Sequence, residues 1–527
     1  MTESFRPPHP ELAEATIVDL GVMLTTGEIT SRQLVERYLE RIEAIDRSGP
    51  HLRSILETNP EAFQIADELD RERQTAGPRG PLHGVPVLLK DNIGTADQME
   101  TTAGSLALLG ARPAADAPVA HKLRAAGAIL LGKTNLSEWA NFRSLHSSSG
   151  WSGRGGQTLN PYALDVTPSG SSSGSGAAIS AGLAAGSLGT ETDGSIISPA
   201  AANAVVGIKP TVGLTSRTGV IPIAHSQDSV GPMTRTVTDA ALILAAIAGP
   251  DPADGATTIA AGADTRYSQF LDPDGLRGAR LGVPREVYWG YSPAADRVAA
   301  AALDTLRDLG AEIIDPAPIT TAHELTGGWP PSDDTPLTVL LHEFKADITA
   351  YLASLGSRTE VRDLAGLIEF NERHAAREMP YFGQELFHLA LATGPLTDPA
   401  YLSALERNRR LARAEGIDRV LTEHRLDALV MPTGGPPAKI DLVNGEHHAG
   451  GASRPAALAG YPVITVPAGY AFGLPVGLTF MGTALGEPSL LKFAFAFEQA
   501  TRVRRSPTYA PVSIYPPEPP AGSSSQG

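Results

Sequence analysis

The sequence predicts an α/β protein: one large domain whose mixed, mostly parallel central sheet is covered by helices on both faces. Three observations lead there. Short uninterrupted apolar runs at 85–89 and 129–131 are separated by helical or Gly/Ser-rich pieces, the texture of strands buried on both faces. Runs of the same kind return far downstream at 428–431, 463–466 and 476–480, so the C-terminal third completes the same sheet. No long Gly/Ser or Pro linker divides the interior, which places residues 1–515 in one domain although 527 residues exceed the usual domain length.

Taken in order, residues 1–10 are polar and proline-rich, and the apolar stretch 20–24 is too short and wrongly flanked for a signal peptide, so a cytoplasmic protein is expected. Thr30 and Gln33 make a capping box. Leu34, Val35, Tyr38, Ile42 and Ile45 then repeat at helical spacing, predicting an amphipathic helix ahead of the sheet. The segment 176–189 comes nearest to the roughly 18 apolar residues of a membrane span, but its Ala, Gly and Ser predict a tightly packed internal helix instead. Between about 295 and 424, Leu340, Phe344, Leu364, Ile368, Leu386 and Leu389 recur at helical spacing. These helices are expected over one edge of the core, where they supply the variable walls of a pocket. The Pro, Gly and Ser of 516–527 cannot bury enough surface to order, so a disordered tail is expected.

Composition removes several functions. With 42 Lys plus Arg against 58 Asp plus Glu, a formal charge of −16 repels nucleic acid and anionic lipid, so neither is an expected partner. The absence of cysteine excludes disulfides, thiolate metal sites and cysteine nucleophiles. A mean hydropathy of −0.06 argues against a membrane protein.

Residues 127–134 (GAILLGKT) have the spacing of a phosphate loop, but the four residues between the glycines are strand-like. A buried strand ending at Lys133 is the expectation. Gly170, Ser172 and Gly174 match a Gly-x-Ser-x-Gly nucleophile elbow, yet the segment before them, 160–169, carries two prolines and reads as loop rather than strand. His323-Glu324 and His342-Glu343 begin like zinc-protease helices, but Gly327 and Ala346 stand where the second histidine belongs. His447 and His448 read as loop histidines, and no metal or cofactor is expected.

What remains is the run 169–176 (SGSSSGSG), then 189–195 (GTETDGS), with Lys90 closing the apolar run 85–89. Each piece alone reads as a flexible loop or a surface cap. Together they supply a chemistry. A lysine reached through an apolar strand loses solvation and keeps a lowered pKa, so its neutral amine can serve as the base that a serine nucleophile needs.

These residues closely resemble the amidase-signature family. The blocks that carry the resemblance are 84–92 (GVPVLLKDN), 132–142 (GKTNLSEWANF), the serine run, 189–196 (GTETDGSI), 207–214 (GIKPTVGL) and 226–233 (SQDSVGPM). They continue as 427–433 (DALVMPT), 461–469 (YPVITVPAG) and 473–482 (GLPVGLTFMG), so most of the chain is covered. The resemblance implies the amidase-signature fold and a serine hydrolase acting on linear amide C–N bonds through an acyl-enzyme. Carried over by position, it makes Ser195 the nucleophile, Ser171 the bridging serine and Lys90 the terminal base. It also implies a cis Gly170–Ser171 peptide that sets the Ser171 hydroxyl between Lys90 and Ser195. Backbone amides of Thr192, Asp193, Gly194 and Ser195, in a Gly-containing turn leading to a helix, are suited to hold the oxyanion. Glu191 and Asp193 read equally as supports of the serine loop or as partly solvated loop carboxylates.

Ser169 and Ser173 replace glycines of the general family run, and Asp193 stands where glycine is common. These departures, with 150–158 (GWSGRGGQT) and 382–386 (FGQEL), look like the bacterial peptide amidases, which deaminate C-terminal peptide amides with release of ammonia. They weigh against the amidotransferase branch, so a small-molecule or short-peptide amide is the expected substrate and no obligate protein partner is expected. A broader acylamidase or esterase is the alternative within the family. Outside it stand an ATP-binding enzyme built on 127–134 and an inert carbohydrate- or peptide-binding module.

Overall fold

The computed structural model describes residues 5–326 and 335–513. Among these, eleven strands form one mixed sheet: β1 (Ile55–Thr58), β2 (Pro86–Lys90), β3 (Ile129–Thr134), β4 (Gly186–Glu191), β5 (Val206–Lys209), β6 (Ser229–Thr234), β7 (Arg280–Gly282), β8 (Glu312–Ile314), β9 (Ala428–Pro432), β10 (Val463–Ala471) and β11 (Leu474–Met481). Their spatial order is β1-β3-β2-β4-β6-β5-β10-β11-β9-β7-β8. Parallel pairings join β3, β2 and β4 on one side and β9, β7 and β8 on the other. Antiparallel ladders connect these blocks, and β1 adds an antiparallel edge.

All five apolar runs expected as strands lie wholly or largely in β2, β3, β9, β10 and β11. Every residue of β2 is buried, and Pro86 stands first in the strand, where its missing N–H is best tolerated. Side chains alternate along a strand, so Gly186 and Gly189 of β4 face opposite sides of the sheet. A Cβ at Gly186 would meet Ile243, and one at Gly189 would meet Ser172. Helices therefore cover both faces at this strand.

The capping box at Thr30 and Gln33 forms and starts helix α1 (Ser31–Arg41), whose periodic apolar residues are fully buried. The helix expected over 176–189 covers only the beginning of that segment. It is α2 (Ser173–Ser180), and the chain then turns into β4. The small residues reflect close contact between α2 and β4: Ser187 Oγ donates to the Ser175 carbonyl at 3.2 Å.

Two further helices frame the site, α3 (Ile197–Ala202) and the long α4 (Thr335–Ser354). Around α4, Phe142, Phe344 and Phe387 build a second apolar cluster with Leu364, Ile368 and Leu386. Leu389 departs from the expected inward pattern and is 46% exposed, because its helix, Glu385–Leu391, turns Leu386, Phe387 and Ala390 inward instead. The region assigned to edge helices also supplies the edge strand β8. No helix among the described residues is long and apolar enough to cross a membrane. The tail 516–527 lies outside the described residues.

Candidate active site

Lys90 is the last residue of β2 and is wholly buried. Its Nζ lies 2.8 Å from Ser171 Oγ, 2.9 Å from Thr190 Oγ1 and 3.2 Å from the Thr190 carbonyl. Burial lowers its pKa to about 7, opposed by the nearby charges of Asp228 and Glu191. A neutral amine has two protons and one lone pair. The two Thr190 oxygens can take the protons, which leaves the lone pair for the Ser171 hydroxyl. Asn92 Nδ2 donates to the same Thr190 hydroxyl at 3.0 Å, holding it in place.

The Gly170–Ser171 peptide is cis. Gly170 is packed so closely that a Cβ would collide with Ser137 Oγ. The Ser171 carbonyl accepts the Ser137 amide at 3.1 Å, and Ser172 Oγ donates to the Thr190 carbonyl at 3.1 Å, so the serine run is held from both sides. Ser172, the centre of the elbow-like motif, is fully buried against β4 and cannot serve as an exposed nucleophile.

From β4 the chain turns through Thr192, Asp193, Gly194 and Ser195 into α3. Gly194 has φ +83°, a left-handed conformation that favours glycine. The buried Glu191 carboxylate accepts the amides of Ile196 at 2.7 Å and Ile197 at 3.0 Å, and also faces the Gly194 amide. Asp193 Oδ1 accepts Ser453 Oγ at 2.5 Å, while its other oxygen pairs with Arg454. Both carboxylates therefore brace the loop, one from inside and one from its rim. Glu191→Ala is expected to destabilise the protein by about 1–3 kcal/mol for each amide left unpaired, read as a lowered Tm, while Glu191→Gln retains most of the stability.

Ser195 lies beside the serine run, with its carbonyl accepting the Ser172 amide at 3.1 Å. Its hydroxyl is not hydrogen-bonded to Ser171 Oγ, so of the two contacts expected of Ser171 only the one to Lys90 is formed. Relay hydrogen bonds are often long until a substrate tightens the site. Among the described residues, the amides of Thr192, Asp193 and Ser195 find no protein acceptor.

The profile of the Amidase family matches residues 33–491. The chain belongs to the amidase family. A probable amidase of Arabidopsis thaliana is 46% identical over 94% of this chain and 92% of its own length. The A-subunit of a glutamyl-tRNA(Gln) amidotransferase from a Roseiflexus species is 35% identical over 93% of this chain and 97% of its own. The crystal structure of native peptide amidase from Stenotrophomonas maltophilia superposes with a TM-score of 0.88 at 50% identity, covering 95% of this chain and 99% of that one. The enzyme is thus a hydrolase of amide C–N bonds.

A cavity of about 600 Å³ opens beside Thr190 and Thr192 of this amidase. One wall is a single face of α4, with Asp347, Ala350, Tyr351 and Ser354 at i, i+3, i+4 and i+7. The divergent helical segment thus lines this cavity through α4, while Lys90, Ser171 and Ser195 are not among its lining residues. Asp228, also in the lining, has its carboxyl raised to about 6 by burial, against hydrogen bonds from Thr192 and from the Ile223 and Ala224 amides.

The other motifs take structural roles. Residues 129–134 are the buried strand β3, and Lys133 Nζ donates to the Ile93 carbonyl at 2.6 Å and Thr101 Oγ1 at 2.8 Å, so the phosphate-loop reading falls. Glu343 meets His225 and Asp347 rather than a second helical histidine. Asp347 lies 2.9 Å from His225 Nδ1 and Glu343 lies 3.5 Å from Nε2, so the two carboxylates bracket opposite ring nitrogens. His447 and His448 line a small crevice with Ser169 and Ser198. Sequence reading missed Thr190, Asn92, Gln227 and Asp228, although all four lie inside the blocks that carry the family resemblance.

Proposed function

We propose that this amidase deaminates C-terminal peptide amides through an acyl-enzyme, with Ser195 as nucleophile, Ser171 as bridge and Lys90 as base. One observation carries the reading: a buried lysine with a pKa of about 7 lies 2.8 Å from a serine hydroxyl, and two fixed acceptors can occupy the protons of its neutral form. Neutral Lys90 takes the Ser171 proton as Ser171 takes the Ser195 proton, and Ser195 Oγ attacks the amide carbonyl. The amides of the 192–195 turn hold the developing oxyanion. The relayed proton returns to the leaving nitrogen, the C–N bond breaks and ammonia departs. Water then attacks the ester by the same relay, releasing the acid and restoring neutral Lys90.

The preference for peptide amides is supported by 50% identity to peptide amidase, against 35% to the amidotransferase chain. The test is a substrate panel. Ammonia release from C-terminally amidated peptides should exceed turnover of anilides and esters of the same acyl group; the reverse order would make the enzyme a general acylamidase or esterase.

A further inference from the structure

We propose that Gln227 and Asp228 are positioning residues that hold Thr192, and with it the oxyanion amides, in register with Ser195. The proposal rests on the assignment of Ser195 and the 192–195 turn given above. Gln227 Nε2 donates to the Thr192 carbonyl at 3.2 Å, and Thr192 Oγ1 donates to Asp228 Oδ1 at 2.5 Å. Because a peptide unit is planar, fixing the Thr192 carbonyl also fixes the direction of the Asp193 N–H. The two contacts therefore orient one residue of the turn by its side chain and the following amide by its peptide plane. Ser229 Oγ adds a contact to the Glu191 carbonyl at 3.3 Å, so three consecutive residues grip the strand end ahead of the nucleophile.

The grip is itself anchored. Asp228 Oδ2 accepts the amides of Ile223 at 2.8 Å and Ala224 at 3.0 Å, closing the turn on itself. Asp347 and Glu343 of α4 accept the amides of His225 and Ser226, each at 2.9 Å. Glu343 is fully buried and also accepts Tyr401 Oη at 2.8 Å. A continuous chain of hydrogen bonds thus runs from α4, which walls the cavity, through 225–228 to Thr192. An aspartate serving only to cap its own turn would need the Ile223 and Ala224 bonds but not the Thr192 bond.

Asp228 carries a second effect that separates positioning from simple folding. The charged groups facing Lys90 are Asp228 and Glu191, and Asp228 is the stronger in raising the lysine pKa against burial. Asp347 in turn faces Asp228 and raises its pKa. Removing the Asp228 charge should therefore lower the Lys90 pKa further and move the acidic limb of kcat/KM to lower pH.

The test compares Thr192→Val, Thr192→Ser and Asp228→Asn in the full-length enzyme, using an amidated peptide as substrate, a fluorophosphonate as acylating probe and thermal melting to verify folding. Thr192→Val should lower kcat and the labelling rate by about 10- to 100-fold with KM within about twofold, and Thr192→Ser should recover most of both. Asp228→Asn should lower kcat and shift the acidic limb downward. Equal kcat in the Val and Ser variants, a loss confined to KM, or an unmoved limb in Asp228→Asn would overturn the proposal. If Asp228→Asn does not fold, the Val and Ser pair decides alone. Failure of the parent enzyme to label at Ser195 would instead strike the assignment on which the proposal rests.

Discussion

Ser195→Ala is expected to lower amide turnover by at least about 10⁴-fold while the protein remains folded, a loss typical of removing a nucleophile from a unit that acts together. The loss should appear in kcat, because acyl transfer has no alternative acceptor: Ser171 is committed to Lys90, and Ser172 is buried against the Thr190 carbonyl. Ser195 stands just before α3 but does not cap it, since Ile196 occupies the cap position and makes no side-chain cap bond. A purely structural role for Ser195 would lower stability with turnover intact. Single-turnover measurements beside a melting curve separate the two. Residual activity within about tenfold of the parent would remove Ser195 from the chemistry.

Lys90→Ala is expected to cost about 10²- to 10⁴-fold in kcat/KM, the range of a general base. The pH dependence gives the sign. Burial depresses the Lys90 pKa to about 7, so below that pH the group is an ammonium with no lone pair for Ser171, and above it the amine is neutral and competent. Activity should therefore rise with pH through about 7 and level above it, and this limb should vanish from the residual activity of the variant. An undepressed lysine would place the limb near 10.5 and leave almost no neutral base at neutral pH. A limb unchanged by Lys90→Ala would make the residue a structural cap to β2.

The frame of the fold was legible where burial on both faces writes short uninterrupted apolar runs, as in β2, β3 and β9. It was not legible in β4 (GSLGTE) or β6 (SVGPMT), whose small and polar residues hide the strand pattern. There the reason is packing. β4 lies so close to α2 that Gly189 and Ser187 are what fits, and local composition reports that contact rather than strand propensity. The three-residue strands β7 and β8 are too short to show any period.

The site divides in the same way. Lys90 could be reasoned from its strand, since a lysine at the end of a buried run must lose solvation wherever the strand leads. Ser171 and Ser195 came from the family resemblance, because nothing in a Gly/Ser run by itself distinguishes one hydroxyl from another. Thr190 and Asp228 act through contacts of strands and turns distant in sequence, with Asn92 reaching Thr190 across 98 positions, so no local pattern could expose them. The carboxylates of Glu191 and Asp193, balanced between support and solvation in the sequence, resolve as supports with different partners.

Locating the covalent adduct itself probes the assignment of the nucleophile without an intervening inference. The enzyme is inactivated with a fluorophosphonate, digested, and the modified peptide sequenced by mass spectrometry, with an amidated peptide present in a parallel sample as competitor. One adduct is expected, on Ser195, suppressed by the competing peptide amide and absent from Ser195→Ala. A stoichiometric adduct on Ser171, Ser172 or a residue outside the 192–195 turn, protected by the same substrate, would contradict the role given to Ser195.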